Sequence, residues 1–207
     1  MMKQFVRSVF FGLAFFASGC VSLLPETSPP KPRYHISAVS ADALAGASVD
    51  WSLVVEDPHT TRVYDTTRIA VSTAPGKIEY FASAEWADRA PRLFQTALVQ
   101  SLEDSGRIIT VGDRSAVPIA DYVLQTDLRA IQLNVRGGRS ASVSIYARLT
   151  DGKGKIYAAK LFEMSAPATS DRADDVIAAF DSAFASAIAG IVTWALDEGE
   201  ASAVTQG

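Results

Sequence analysis

The spacing of apolar residues changes period several times along the chain, and each change marks an element. Ser8 to Ala17 (SVFFGLAFFA) is an almost unbroken apolar run behind Lys3 and Arg7. At about ten residues it is half of what a helix needs to cross a bilayer, so it predicts a cleaved secretory leader and not a transmembrane anchor. Val21 to Arg33 (VSLLPETSPPKPR) holds four prolines and few large apolar residues after Leu24, the pattern of an extended, unpacked tether. At roughly 3 Å per residue such a tether holds a domain some tens of ångströms from its anchor.

Beyond the tether, Tyr34 to Val39 predicts a short first strand, while Ala41 to Ser48 is too rich in Ala, Gly and Ser to assign. Strands are expected at Trp51 to Glu56, Thr67 to Ser72 and Lys77 to Phe81, divided by Asp57-Pro58 and Pro75-Gly76. Glu85 to Ser105 then switches to helical spacing, with Ala90, Leu93, Phe94, Ala97, Leu98 and Leu102 on one side, Ser83 as cap, Trp86 in the first turn and Gly106 as terminator. Pro91 leaves two options. Either the helix begins near Asp88 with Pro91 in its first turn, or Glu85 to Ala90 forms a separate turn.

Period two returns from Arg107. A strand at Arg107 to Val111 precedes a long one at Asp121 to Val135, whose phase slip near Ala130 predicts a bulge. Gly137-Gly138 turns it into Ser140 to Thr150, where Ala141, Val143, Ile145, Ala147 and Leu149 alternate with polar residues; Asp151-Gly152 turns that into Lys155 to Ser165. The final element, Asp171 to Leu196, carries Ile177, Phe180, Phe184, Ile188 and Ile191 along one stripe, with Ser170 as cap and Asp171, Asp174 and Asp175 favoured by the N-terminal dipole. The order predicts an α+β fold, a mixed or antiparallel β-sheet with two helices packed on one face, after a signal peptide and a Pro-rich tether. The expected organisation is a leader over 1–19, a lipidated Cys20 and tether over 20–33, one domain over 34–197 and a polar, frayed tail over 198–207.

Cys20 is the single cysteine of 207 residues and stands directly behind the apolar run. A free cysteine is often a small buried hydrophobe, but a core residue has no reason to sit at a leader boundary. Ala17-Ser18-Gly19-Cys20 resembles the bacterial lipoprotein lipobox, departing from it at Ala17, where Leu is usual. The resemblance implies a diacylglycerol on the Cys20 thiol and, after cleavage, an acylated amine. Two or three chains on one residue make release negligible, since one chain alone binds only marginally. Val21, where Asp would favour inner-membrane retention in such lipoproteins, leans the location towards the outer membrane, on the periplasmic side.

Charge removes several functions. Cleavage leaves 188 residues with 17 basic against 23 acidic side chains, a net charge of about −6. So acidic a chain, without Lys/Arg clusters, lacks the footprint of a nucleic-acid binder, and no anionic lipid surface attracts it. One cysteine permits no intrachain disulfide, so the fold rests on its core. Chemistry is equally sparse. His35 and His59 have no acid or cysteine at metal-ligand spacing. Asp174-Asp175 is explained by the helix dipole, and Gly152-Lys153-Gly154-Lys155 lacks the spacing and following helix of a phosphate loop. No metal, cofactor or catalytic residue is expected beyond the covalent lipid on Cys20, and the chain reads as a non-enzyme.

The segment from Lys77 to Gly106 carries Tyr80, then Trp86-Ala87, then a helix ending in Gly106. Together with the lipobox, the tether and the strand at Tyr34-His35-Ile36, it resembles the ABC-type transport auxiliary lipoprotein family, the group that includes PqiC, over about residues 17 to 195. The resemblance implies a periplasmic subunit that serves an ABC system moving lipids together with MCE-domain proteins, without hydrolysing ATP. Tyr80 and Trp86 are then either core aromatics or partner-docking anchors; Tyr146, beside Ser140, Ser142 and Ser144, is a second docking candidate, against the alternative of a solvated sheet face. Expected partners are a membrane through the anchor, an MCE-domain protein or ABC permease, and further copies of the chain. The competing readings are a lipoprotein that itself holds a lipid or other hydrophobic ligand between sheet and helices, and a structural envelope-assembly lipoprotein.

Overall fold

A computed structural model describes residues 30–206; Cys20, the leader and nearly all of the tether lie outside the described residues. The organising element is β7 (Tyr122–Asn134), at 13 residues the longest strand among the described residues. Along one edge it pairs antiparallel with β8 (Ser140–Thr150) over its full length. Its other edge is shared by three short parallel partners: β2 (Ser52–Val55) opposite Tyr122–Leu124, β3 (His59–Thr60) opposite Asp127–Leu128, and β4 (Arg68–Ala74) opposite Gln132–Asn134. The register shift between Leu128 and Ala130 is the expected bulge.

The sheet extends outward from this spine. β5 (Lys77–Trp86) pairs antiparallel with β4, and β1 (Arg33–Tyr34) runs parallel to the end of β5. On the other side β6 (Thr110–Gly112) runs parallel to β2, and β9 (Ile156–Pro167) pairs antiparallel with β8 to complete the meander. Helices α1 (Ala90–Asp104) and α2 (Ala173–Gln206) pack on the sheet and on each other, so the fold is the α+β arrangement expected, with a mixed sheet. The alternating Ala141, Val143, Ile145, Ala147 and Leu149 of β8 are all buried against the helices. Trp86, Phe94, Phe180 and Phe184 are the largest fully buried side chains. Trp86 meets Phe180 and Phe184 edge to face at 5.3 and 6.3 Å, a geometry favoured by ring quadrupoles.

Several boundaries differ from the sequence expectation. The strand expected from Tyr34 stops there, because the Val39 N–H donates to Ser101 Oγ on α1 at 2.9 Å and turns the segment towards the helix, burying Ile36 and Val39. β5 runs five residues past Phe81 because its edges are claimed on both sides: Trp86 N–H donates to Thr67 O at 2.7 Å, and Ala87 N–H to Tyr34 O at 2.8 Å. Ser83 therefore lies in a strand and caps nothing. α1 begins at Ala90 with Pro91 in its first turn, the first of the two options, and Gly106 follows it at φ +61°. The segment left unassigned contains a 3-10 turn at Ala41–Leu44. It is held by the buried Arg107, whose guanidinium donates to Ala47 O at 2.8 Å and Leu44 O at 3.3 Å. The tail expected to fray continues α2 to Gln206.

At 34 residues α2 is about 51 Å long. It is apolar and long enough to span a bilayer by composition, yet Val176, Phe180, Phe184, Ile188, Ile191 and Ala195 are buried along its length against the protein's own sheet.

Candidate docking surfaces

The residues that could carry chemistry are dispersed. His35 is exposed, and His59, in β3 and not in a loop, has its ring 3.4 Å from Asp127. Asp174 accepts from the Tyr34 hydroxyl at 2.7 Å. Asp175 accepts from Ser170, whose hydroxyl also receives the Arg172 N–H at 3.1 Å as α2 begins. Asp151 receives the N–H groups of Lys153 and Lys155 at 2.8 and 2.9 Å, so the Gly152–Lys155 stretch is a hairpin turn. Among the described residues no group of three or more His, Cys, Asp or Glu is placed to hold a metal ion.

The docking candidates separate by exposure. Trp86 is 1% exposed inside the core and presents no surface to a partner. Tyr80 is half-buried on β5, with Arg68 Cζ 3.6 Å over its ring and its hydroxyl 3.5 Å from Val63 O. Tyr146 is half-buried on the sheet face away from the helices, with the guanidinium carbons of Arg129 and Arg148 at 4.5 and 5.6 Å from its ring. The serine row beside it is tied locally: Asn134 Nδ2 donates to Ser142 Oγ at 2.7 Å, and Ser142 Oγ lies 3.4 Å from Ser165 Oγ. This face is polar and internally bonded. Cys20 lies outside the described residues.

Two surfaces escaped the sequence reading. The first is a groove of about 890 Å³ between β9 and α2, lined by Leu161, Phe162, Met164, Gly190 and Trp194 among others. Phe162 meets Trp194 edge to face at 5.8 Å, and Gly190 leaves room for the Phe162 ring, which a Cβ there would approach to 3.3 Å. The second is a cleft of about 410 Å³ at the end of the molecule where β2 and β7 start and α2 finishes, lined by Trp51, Tyr122 and Tyr157 with Asp50, Asp121 and Asp151. Its rings stack edge to face at 4.9 and 5.4 Å. Ser52 holds Asp121 through its hydroxyl and its N–H at 2.7 and 2.8 Å, keeping that carboxyl below the usual carboxylate range. Neither surface has a local motif, because each joins segments far apart in the chain.

Comparison with known proteins agrees with this architecture. A curated relative, the uncharacterized protein bll6063 of Bradyrhizobium diazoefficiens, is 30% identical over 158 residues, 72% of this chain and 41% of that protein. The chain thus spans about two-fifths of that relative's length. Protein XCC0632 of Xanthomonas campestris, known from a crystal structure, superposes with a TM-score of 0.75 at 27% identity, over 82% of this chain and 96% of that one. A second crystal structure, of an uncharacterized protein, shares the fold at 14% identity and a TM-score of 0.63, over 80% and 98% of the two chains. The model of the ABC-type transport auxiliary lipoprotein component matches residues 34–192, from β1 to within four turns of the end of α2, and the chain belongs to that family.

Proposed function

We propose that the protein is a lipid-anchored, non-catalytic periplasmic subunit that docks an ABC transport system, with an MCE-type lipid-carrying partner, to a membrane, the outer one by the lean of Val21. The observation that carries this reading is the family match over nearly the whole folded domain. An apolar leader that ends in Ala17-Ser18-Gly19-Cys20 supports the anchor. Side chains that are dispersed or tied into turns and caps support a binding role over a catalytic one. Self-association of several copies is compatible with β9, which among the described residues pairs only with β8.

The test is mild-detergent purification of a C-terminally tagged full chain from its native membrane, with mass spectrometry of the N-terminal peptide and of the co-purifying proteins. The expected result is an acylated Cys20 together with an ABC permease or MCE-domain protein. An unmodified Cys20 removes the anchor, and an acylated chain without transport subunits removes the docking role. The β9–α2 groove favours one alternative, a hydrophobic ligand held by the protein itself. That reading expects the full chain to take up labelled phospholipid, and no uptake refutes it.

A further inference from the structure

Large apolar side chains are exposed unevenly. Of the six so exposed among the described residues, Ile109 (68%), Ile119 (91%), Ile156 (57%) and Val204 (75%) neighbour the Trp51–Tyr122–Tyr157 cleft along the chain or across a strand register. Ile156 precedes the cleft residue Tyr157, Val204 follows Ala203 at the cleft, Ile119 is two residues from Asp121, and Ile109 leads into Thr110, which is in register with Ser52. Single exposed apolar residues need no explanation, whereas four next to the residues of one aromatic cleft are a concentration of the kind that partners cover. The carboxylates of Asp50, Asp121, Asp151 and Glu200 belong to the same pole, against the ammonium groups of Lys153 and Lys155. Lys155 Nζ stands 4.7 Å over the Tyr157 ring, so an aromatic face here already accepts a cation.

We propose that this pole is the docking face for a segment of a different protein chain, one that presents apolar side chains flanked by lysine or arginine. Charge selects that occupant. A second copy meeting the pole with its own pole would set carboxylates against carboxylates, and an anionic lipid surface would be repelled in the same way. The path of the chain agrees. The polypeptide leading from Cys20 joins the domain at Lys31 to Tyr34, where the Tyr34 hydroxyl bonds Asp174 in the first turn of α2. Val204 lies 30 residues further along that helix, about 45 Å away, so the pole and the residues at which the tether joins the domain are at opposite ends of α2. This inference rests on the docking role proposed above and names the surface that performs it.

The experiment places a photoreactive benzoylphenylalanine at Ile119, and separately at Val135 beside the β7–β8 turn as a control, in the full-length chain in its native envelope. Both positions are exposed, so the fold should tolerate them. The expected result is a cross-link from position 119, much weaker from 135, to a different protein, whose attached peptide maps to apolar residues flanked by Lys or Arg. Glu200→Lys together with Asp50→Lys should lower its yield several-fold, as should raised salt. A cross-link to a second copy, to lipid or to an acidic segment, or none at all, overturns the inference. If the captured segment has the expected chemistry but belongs to no ABC or MCE protein, the docking face stands and the transport role falls.

Discussion

A Cβ placed on Gly199 would fall 2.4 Å from Trp51 Cζ2 and 2.9 Å from its Cη2. Helix propensity favours alanine over glycine by about 1 kcal/mol, but the indole is buried and stacked edge to face on Tyr122, and overpacking costs about 1–3 kcal/mol. Gly199→Ala is therefore expected to lower the thermal midpoint, although the position is helical; a rise would show that the Trp51 ring moves freely. Trp86→Ala removes the indole that packs on Phe180 and Phe184 and should destabilise by about 3–5 kcal/mol, measured by urea unfolding. Titration also acts at this scale. Ser52 and the turn amides of Lys155 and Lys153 hold the carboxyls of Asp121 and Asp151 below their ordinary range, and the Ser115 hydroxyl with the Ala116 and Ser115 amides does the same for Asp113. Folded values below unfolded ones give stability that is present above the unfolded value, about 3.9, and lost as pH falls through the folded values. The thermal midpoint should hold from neutrality to about pH 5 and fall below about pH 4. Asp181 works in the opposite sense, since burial raises its carboxyl and opposes its ionised form. Asp181→Asn should raise the midpoint at pH 7, with the gain shrinking to nothing once the pH lies below the unfolded value.

At the scale of the element, the end of α2 shows how far packing overrides composition. Asp197 to Gln206 is polar, with Gly199 inside it, and propensity alone predicts fraying. In the fold the Tyr122 hydroxyl donates to Gly199 O at 3.0 Å and Trp51 lies against the same residue, so the last turns cover the start of β2 and β7. Truncation after Asp197 should lower the urea midpoint by an amount equivalent to about 2–4 kcal/mol and increase solvent quenching of tryptophan fluorescence; an unchanged midpoint would mean that these turns cover nothing. β5 obeys the same logic. Its end was legible only as the start of a helix, because Trp86-Ala87 followed by apolar spacing reads helically, while the two backbone bonds that keep it extended come from Thr67 and Tyr34. By contrast, the β7 bulge and the β7–β8–β9 meander were readable residue by residue, since period-two alternation and Gly137-Gly138 are local signals.

For the molecule as a whole, the proposed anchoring predicts that anchor and fold can be separated by mutation. The described domain has its own core, and Cys20, the proposed lipid site, precedes it by a stretch containing four prolines. Cys20→Ala is expected to leave the urea midpoint unchanged, shift the protein from the membrane to the soluble fraction on fractionation, and fail to complement a deletion strain. Full complementation by that variant would remove the anchor from the function. Two kinds of information converge in this protein. The acidic balance, the α+β order of elements and the family membership were legible along the chain, because periodicity, charge and short motifs are properties of neighbours in sequence. The burial of Trp86, the three-way sharing of the β7 edge, the β9–α2 groove and the aromatic and acidic pole arise from segments well separated in the chain, from Phe162 with Trp194 to Trp51 with Tyr122 and Gly199. Which side of an aromatic residue meets solvent depends on what the rest of the chain packs against it, and that follows from long-range packing, which no local pattern records.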